Sequence, residues 1–315
     1  MKGLELCRKY YEKYGAGMIE EEFPELVHRA AAGLAGEGSE CLGYDDEVSR
    51  DHDFEPSFCV WLTDSDFDKY SFSLSRAYSS LPREFMGISR TIDTPTGGKR
   101  RGVMRISDFY KRFLGSAAAP ETPAHWLALP EYALRAATSG EVFRDDLGEF
   151  SAVRNALKKG YPEDVRLKKL ASALIVASQS GEYNFERCLA HGESGAAQLA
   201  IFTFVKYIAA AIYLLNNAYM PFYKWIYRGM SELTVLSDLT DVLAFLTETG
   251  NSEKEANAKK GIISDLVRAV TGELSNQGLT KKRYQSFEES AYEVNSKIKS
   301  PELRNKSIFS GMIRE

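Results

Sequence analysis

Apolar positions recur at helical spacing through residues 2–14, which predicts a first helix ending at Gly15. A second helix is expected near Phe23-Pro24, because proline is well tolerated in a first turn, and it carries Leu26, Val27 and Ala30 to Ala32 toward a bend at Gly36. The run Phe58-Cys59-Val60-Trp61-Leu62 reads as a strand whose upstream end carries Asp51 and Asp53. Residues 64–81 predict a polar-faced helix capped by Thr63 or Asp64. Two strands over 85–93 and 102–106 follow, joined by the turn Thr94-Pro95-Thr96-Gly97-Gly98, and then a helix over 107–114. Residues 116–123 form an alanine- and proline-bearing connector, and a short helix pair lies around Trp126 and Tyr132. The stretch 139–145 receives no assignment. From about Phe150 the pattern is helical almost throughout, over 150–159, 162–180, 183–190, 194–217, 222–247, 253–274 and 280–298. The expected fold class is α+β, with a small mixed sheet in a domain of residues 1–150 and a helical bundle over 151–315.

Composition narrows the function classes. An apolar share of 44% is enough for a core without staples. The formal charge is −4, and Lys and Arg cluster only at 99–101 and 281–283, which argues against a protein built to hold a nucleic-acid backbone. Cys7, Cys41, Cys59 and Cys188 are scattered without zinc spacing, so reduced thiols in a cytoplasmic protein are expected. The most apolar window, 199–215, is interrupted by Lys206 and predicts a buried helix and no membrane span.

The chemistry is expected around Gly36-Glu37-Gly38-Ser39-Glu40-Cys41-Leu42-Gly43 and Ser49-Arg50-Asp51-His52-Asp53. On a strand, Asp51 and Asp53 share one face and His52 takes the other. Two carboxylates on one face suit a hard divalent cation such as Mg2+, which keeps part of its shell for phosphates. A glycine-serine turn beside them offers backbone N–H groups to a phosphate.

This arrangement resembles the signature of the nucleotidyltransferase superfamily that includes DNA polymerase beta and the aminoglycoside nucleotidyltransferases. The matching positions are Gly38, Ser39, Cys41, Gly43, Ser49, Asp51 and Asp53, with Arg50 as a departure between Ser49 and Asp51. The wider text from about residue 22 to about 230 also resembles a bacterial family of unknown function usually placed in that superfamily. Three later segments carry that likeness, at 161–169, 179–187 and 219–225.

The resemblance implies a nucleotidyltransferase-like first domain in which Asp51 and Asp53 bind Mg2+ and are catalytic, while Gly38 and Ser39 hold the phosphates of a nucleoside triphosphate such as ATP. It also implies a third carboxylate. Asp93 is the candidate by order in the chain, with Asp108, Glu141 and Asp145 as competitors. Asp45 and Asp46 are expected in a solvated loop. Cations near the β and γ oxygens would offset charge on the leaving pyrophosphate, and Lys224, Arg187 and Lys169 are the choices. The expected reaction moves a nucleoside monophosphate to a hydroxyl of a small molecule or a protein. The alternative is a non-catalytic nucleotide-binding or interaction protein that keeps the fold.

Overall fold

The structure is a computed structural model that describes residues 1–48, 54–90 and 100–314. Asp51, Asp53, Asp93, Ser49, His52 and the 94–98 turn therefore lie outside the described residues. The chain divides into two compact units, one of residues 1–120 and 133–159 and the other of 121–132 and 160–315.

The first unit opens with one helical run. Helix α1 (Gly3–Tyr10) widens into a π turn at Tyr11–Gly15 and continues as α2 (Ala16–Glu22). Gly15 does not stop the helix as its sequence suggested. A Cβ there would lie 2.5 Å from Cζ of Phe58, so the glycine serves the close approach of that ring. The expected second helix is also absent: Pro24–Leu26 makes a single tight turn, and Ala31–Ala35 is strand β1, buried at every position. Small residues that suit a helix also suit a strand covered on both faces, and here packing decides.

After β1 come the short α3 (Ser39–Leu42), β2 (Cys59–Leu62) and α4 (Asp64–Ser80), whose cap is Thr63 accepting from the Asp66 N–H at 3.2 Å. The pairs β3 (Glu84–Phe85) and β4 (Ile88–Ser89) make a separate miniature hairpin. Strand β5 (Gly102–Arg105) leads into α5 (Ile106–Leu114). The chain passes through α6 (Pro123–Ala128), which belongs to the second unit, and re-enters the first along α7 (Glu131–Thr138); residues 140–144 then supply β6 (Gly140–Arg144), and α8 (Glu149–Lys158) completes the unit.

The sheet order is β5-β2-β1-β6, with β1 antiparallel to both neighbours and β2 parallel to β5. Side chains alternate across β2, so its two faces meet different partners. Phe58, just before it, packs on Tyr10, Tyr11 and Tyr78, while Trp61 stacks on Phe150 with ring centres 3.9 Å apart. Buried hydroxyls in this core are satisfied: Tyr78 donates to Phe58 O at 2.8 Å and Tyr110 to Phe150 O at 2.6 Å. The buried Arg154 of α8 ties down the end of α7, donating to the carbonyls of Ala137, Ser139 and Gly140.

The second unit is helical. Helix α9 (Glu163–Ala177) is buried almost all round and is followed by a π segment at Ser178–Asn184 and α10 (Phe185–Ala190). Helix α11 (Ser194–Leu215) is the most apolar. It is long and apolar enough to cross a membrane, yet 67% of its most apolar window is buried within the protein, as a core helix would be. The single helix expected over 222–247 is instead two short ones, α12 (Ile226–Met230) and α13 (Thr240–Glu248). Leu236 between them takes a positive φ of 59°, which no helix accommodates. Then come α14 (Glu253–Asn276), opened by a Ser252/Glu255 capping box, α15 (Phe287–Ser296) and α16 (Pro301–Asn305). The C-terminal turn docks on α9, where Lys168 donates to Asn295 Oδ1 at 2.9 Å and to Lys306 O at 2.7 Å.

Candidate functional site

Strand β1 ends at Ala35, and the chain then bends through two glycines in conformations that side chains resist: φ is 115° at Gly36 and 125° at Gly38. Ser39 begins α3 directly after the bend, so the Gly38-Ser39 turn stands where the sequence placed it, behind a small-residue run. The next residue ties this corner to the start of β5. Glu40 is only 5% exposed and pairs with the guanidinium of Arg101, which follows the undescribed 91–99 segment and immediately precedes β5. A Cβ on Gly38 would fall 2.5 Å from the Glu40 carboxylate, so turn and ion pair fit only around glycine.

Three thiols lie in this region of the core, at Cys7, Cys41 and Cys59. Burial pushes Cys7 up to about 11, against the opposing pull of Arg101, and raises Cys41 and Cys59 as well. At neutral pH all three stay protonated, which suits packing and neither nucleophilic attack nor metal binding.

In front of the turn is a cleft of about 290 Å³ in the first unit. Its floor is Ala35 and Gly36, its apolar walls include Phe67 and Phe109, and its rim carries Arg100, Arg101 and Arg112. Arg112 reaches Glu37 Oε2 at 2.6 Å with both side chains about two-fifths exposed. Three guanidiniums beside a glycine bend favour an anionic ligand, and the aromatic walls favour a flat one. Sequence reasoning did not select these arginines, although 99–101 stood out as one of two basic groups. The turn and β5 bring that group to the end of β1, a proximity the linear text does not display.

The other expected residues fare differently. Asp51, Asp53 and Asp93 lie outside the described residues. Among the competitors for the third acid, Asp145 accepts from the backbone N–H groups of Gly148 and Ser151 and so holds the start of α8, while Glu141 pairs with Arg8. Asp108 lines the cleft from the exposed face of α5. Asp45 is no solvated loop acid. It is 5% exposed and accepts the Gly3 N–H at 2.8 Å, anchoring the first turn of α1. Among the described residues no group of three or more His, Cys, Asp or Glu side chains is placed to hold a metal ion.

Lys169 is a correction. Its side chain is 1% exposed and its ammonium donates to Glu131 Oε1 at 2.7 Å inside the helical unit, so it cannot close over a phosphate. Arg187 and Lys224 are exposed, and each lies against a ring: Arg187 donates to the Tyr183 hydroxyl at 3.0 Å, and Lys224 sits 5.3 Å from the centre of Trp225.

Residues 126–226 match the model of a family described as a domain of unknown function (DUF4037). That span contains all three later segments noted in the sequence and stops short of the Gly36–Ser39 turn. No curated protein and no solved structure matches the chain.

Proposed function

We propose that the chain is a Mg2+-dependent nucleotidyltransferase that binds a nucleoside triphosphate in the arginine-rimmed cleft of its first unit. The nucleoside monophosphate passes to a hydroxyl of a small molecule or protein. The observation that supports this most is the pairing of a glycine-only bend, Gly36 to Ser39, with Arg100 and Arg112 on one cleft. Backbone N–H groups of the bend hold the terminal phosphates, and the guanidiniums neutralise the charge that grows on departing pyrophosphate. Arg101, paired with Glu40 beside the bend, lines the same cleft and adds positive potential. The acceptor oxygen attacks the α-phosphorus in line, the bond to the bridging oxygen breaks, and the acceptor proton leaves to a carboxylate. Asp51 and Asp53 are the metal ligands that the resemblance implies, while Glu37, Glu40 and Asp45 are engaged with Arg112, Arg101 and the Gly3 N–H. The metal, once bound, supplies charge neutralisation on the triphosphate.

A second reading, a nucleotide-binding protein without turnover, draws support from the acids that are spoken for: Glu141 by Arg8 and Asp145 by the start of α8. Pyrophosphate release from ATP and Mg2+, measured for the natural chain and for Asp51→Asn, separates the two. Release that the substitution abolishes supports the transferase. Metal-dependent binding with no release supports the second reading, and absence of binding ends both.

A further inference from the structure

Two of the arginines on the first unit's cleft are held by glutamates in very different ways. Arg101 pairs with Glu40, and those side chains are 10% and 6% exposed. Arg112 donates through one nitrogen to Glu37 Oε2 at 2.6 Å, and both of those side chains are 40% exposed. Parting a buried pair strands a charge away from water, so Arg101 stays with Glu40. An exposed pair contributes little, because water and salt ions readily take the place of either partner. Arg112 therefore changes partners at small cost, and Arg101 does not.

The placement of Glu37 gives this exchange a consequence. It stands between the two positive-φ glycines of the bend, Gly36 and Gly38, and it lines the cleft together with Gly36 and Arg112. A phosphate carried on the N–H groups of the bend thus arrives beside a like charge, the Glu37 carboxylate, and beside an opposite one, the Arg112 guanidinium. Arg112 also lies 5.5 Å from the centre of the Phe113 ring, another wall of the cleft, which steadies it there without Glu37. A guanidinium can meet a phosphate with two parallel N–H bonds, a stronger contact than the single bond it makes to Glu37.

We infer that Glu37 is a built-in competitor for the phosphate site: its carboxylate holds Arg112 until a polyphosphate takes that guanidinium over, joining the bend and α5 on one ligand. The inference deepens the reading of the cleft as a triphosphate site and rests on it. It makes Glu37 a specificity-determining residue. A ligand with several negative charges displaces the carboxylate, whereas a singly charged acid would only exchange one carboxylate for another. Removal of Glu37 should therefore strengthen binding, the reverse of what the loss of an ordinary contact residue does.

Calorimetric titration of sodium tripolyphosphate, without metal, into the full chain and its variants tests this. Glu37→Gln keeps the side-chain shape at an exposed position and removes the competing charge. It is expected to bind the probe about fivefold more tightly than the natural chain at low ionic strength, a gain that shrinks as salt is added. Arg112→Ala should bind about tenfold more weakly, and in that background the gain from Glu37→Gln should fall to about twofold or less, since no guanidinium is left to hand over. Asp108→Asn removes a charge from the same cleft that faces Arg105, and it should also gain no more than about twofold. Binding that Glu37→Gln leaves unchanged or weakens, a gain that persists in full without Arg112, or an equal gain from Asp108→Asn overturns the inference and leaves the cleft reading standing. If neither the natural chain nor Glu37→Gln binds tripolyphosphate, or ATP with Mg2+, that reading fails and takes the inference with it.

Discussion

Each unit of this protein buries a glutamate against a cation, and the two pairs serve different ends. In the first unit Arg101, paired with Glu40 beside the glycine bend, lines an open cleft together with Arg100 and Arg112. In the second unit Lys169 and Glu131 are sealed among helices, with one carboxylate oxygen unpaired among the described residues. A guanidinium is planar and multidentate, so Arg101 can grip Glu40 and still shape the potential of a surface cleft. An ammonium is a point charge, and Lys169 spends its charge locally. The lesson is that a basic residue near a candidate site does not reveal from its sequence whether it faces ligand or core.

The largest expected effect sharpens that contrast. Lys169→Met or Glu131→Leu alone should destabilise the protein by about 3–5 kcal/mol in urea unfolding, because each leaves an uncompensated buried charge, and the double substitution should recover most of the loss. The same pattern is expected for Arg101→Met, Glu40→Leu and their combination. A neutral single substitution in either pair would break the comparison. Next comes Gly38→Ala, which forces a side chain into φ of 125° beside the Glu40 carboxylate. Strain of roughly 1–3 kcal/mol is expected, together with weaker ATP binding in the same titration.

Arg112→Ala should lie lower still on the stability scale, within about 0.5 kcal/mol, since its pair with Glu37 is exposed. Its mark should be on affinity, with ATP binding reduced about tenfold in calorimetry. The smallest effect concerns Glu182, an acid of the helical unit that accepts the Phe287 N–H at 3.0 Å. Burial raises its pKa above the ordinary 4.5, so its protonated form is the one the fold favours. That contribution is complete below the unfolded value and is lost as pH rises through the folded one. Glu182→Gln cannot ionise, so its melting temperature relative to the natural chain should rise between pH 4 and pH 8. A constant difference would contradict the assignment.

Elements set by local chemistry were legible from the text. Helix α4 starts at its Thr63 cap, α5 appears where its apolar stripe does, and α14 follows its Ser252 and Glu255. Elements set by long-range packing were not. Gly15 reads as a stop until Phe58 is seen against it, and Ala31–Ala35 reads as helix until neighbours on both edges draw it into a sheet. Strand β6 carries no alternation strong enough to announce itself, and it exists because β1 pairs with it. At the site, the Gly38-Ser39 bend was visible as a motif, whereas Arg101 and Arg112 become partners of that region only when β5 and α5 fold beside it. Lys169 had a visible signal in the continuous apolar run Leu170-Ala171-Ser172-Ala173-Leu174-Ile175-Val176, which belongs to a helix buried all round.

The central claim is that the cleft in front of the Gly36–Ser39 bend binds a nucleoside triphosphate together with Mg2+ held by Asp51 and Asp53. Calorimetric titration of ATP into the natural chain and into the Asp51→Asn, Asp53→Asn double variant, each with and without Mg2+, tests it most directly. Binding that strengthens with Mg2+ in the natural chain and loses that dependence in the variant is the predicted result. Absence of binding, or a Mg2+ dependence that survives both substitutions, would contradict it.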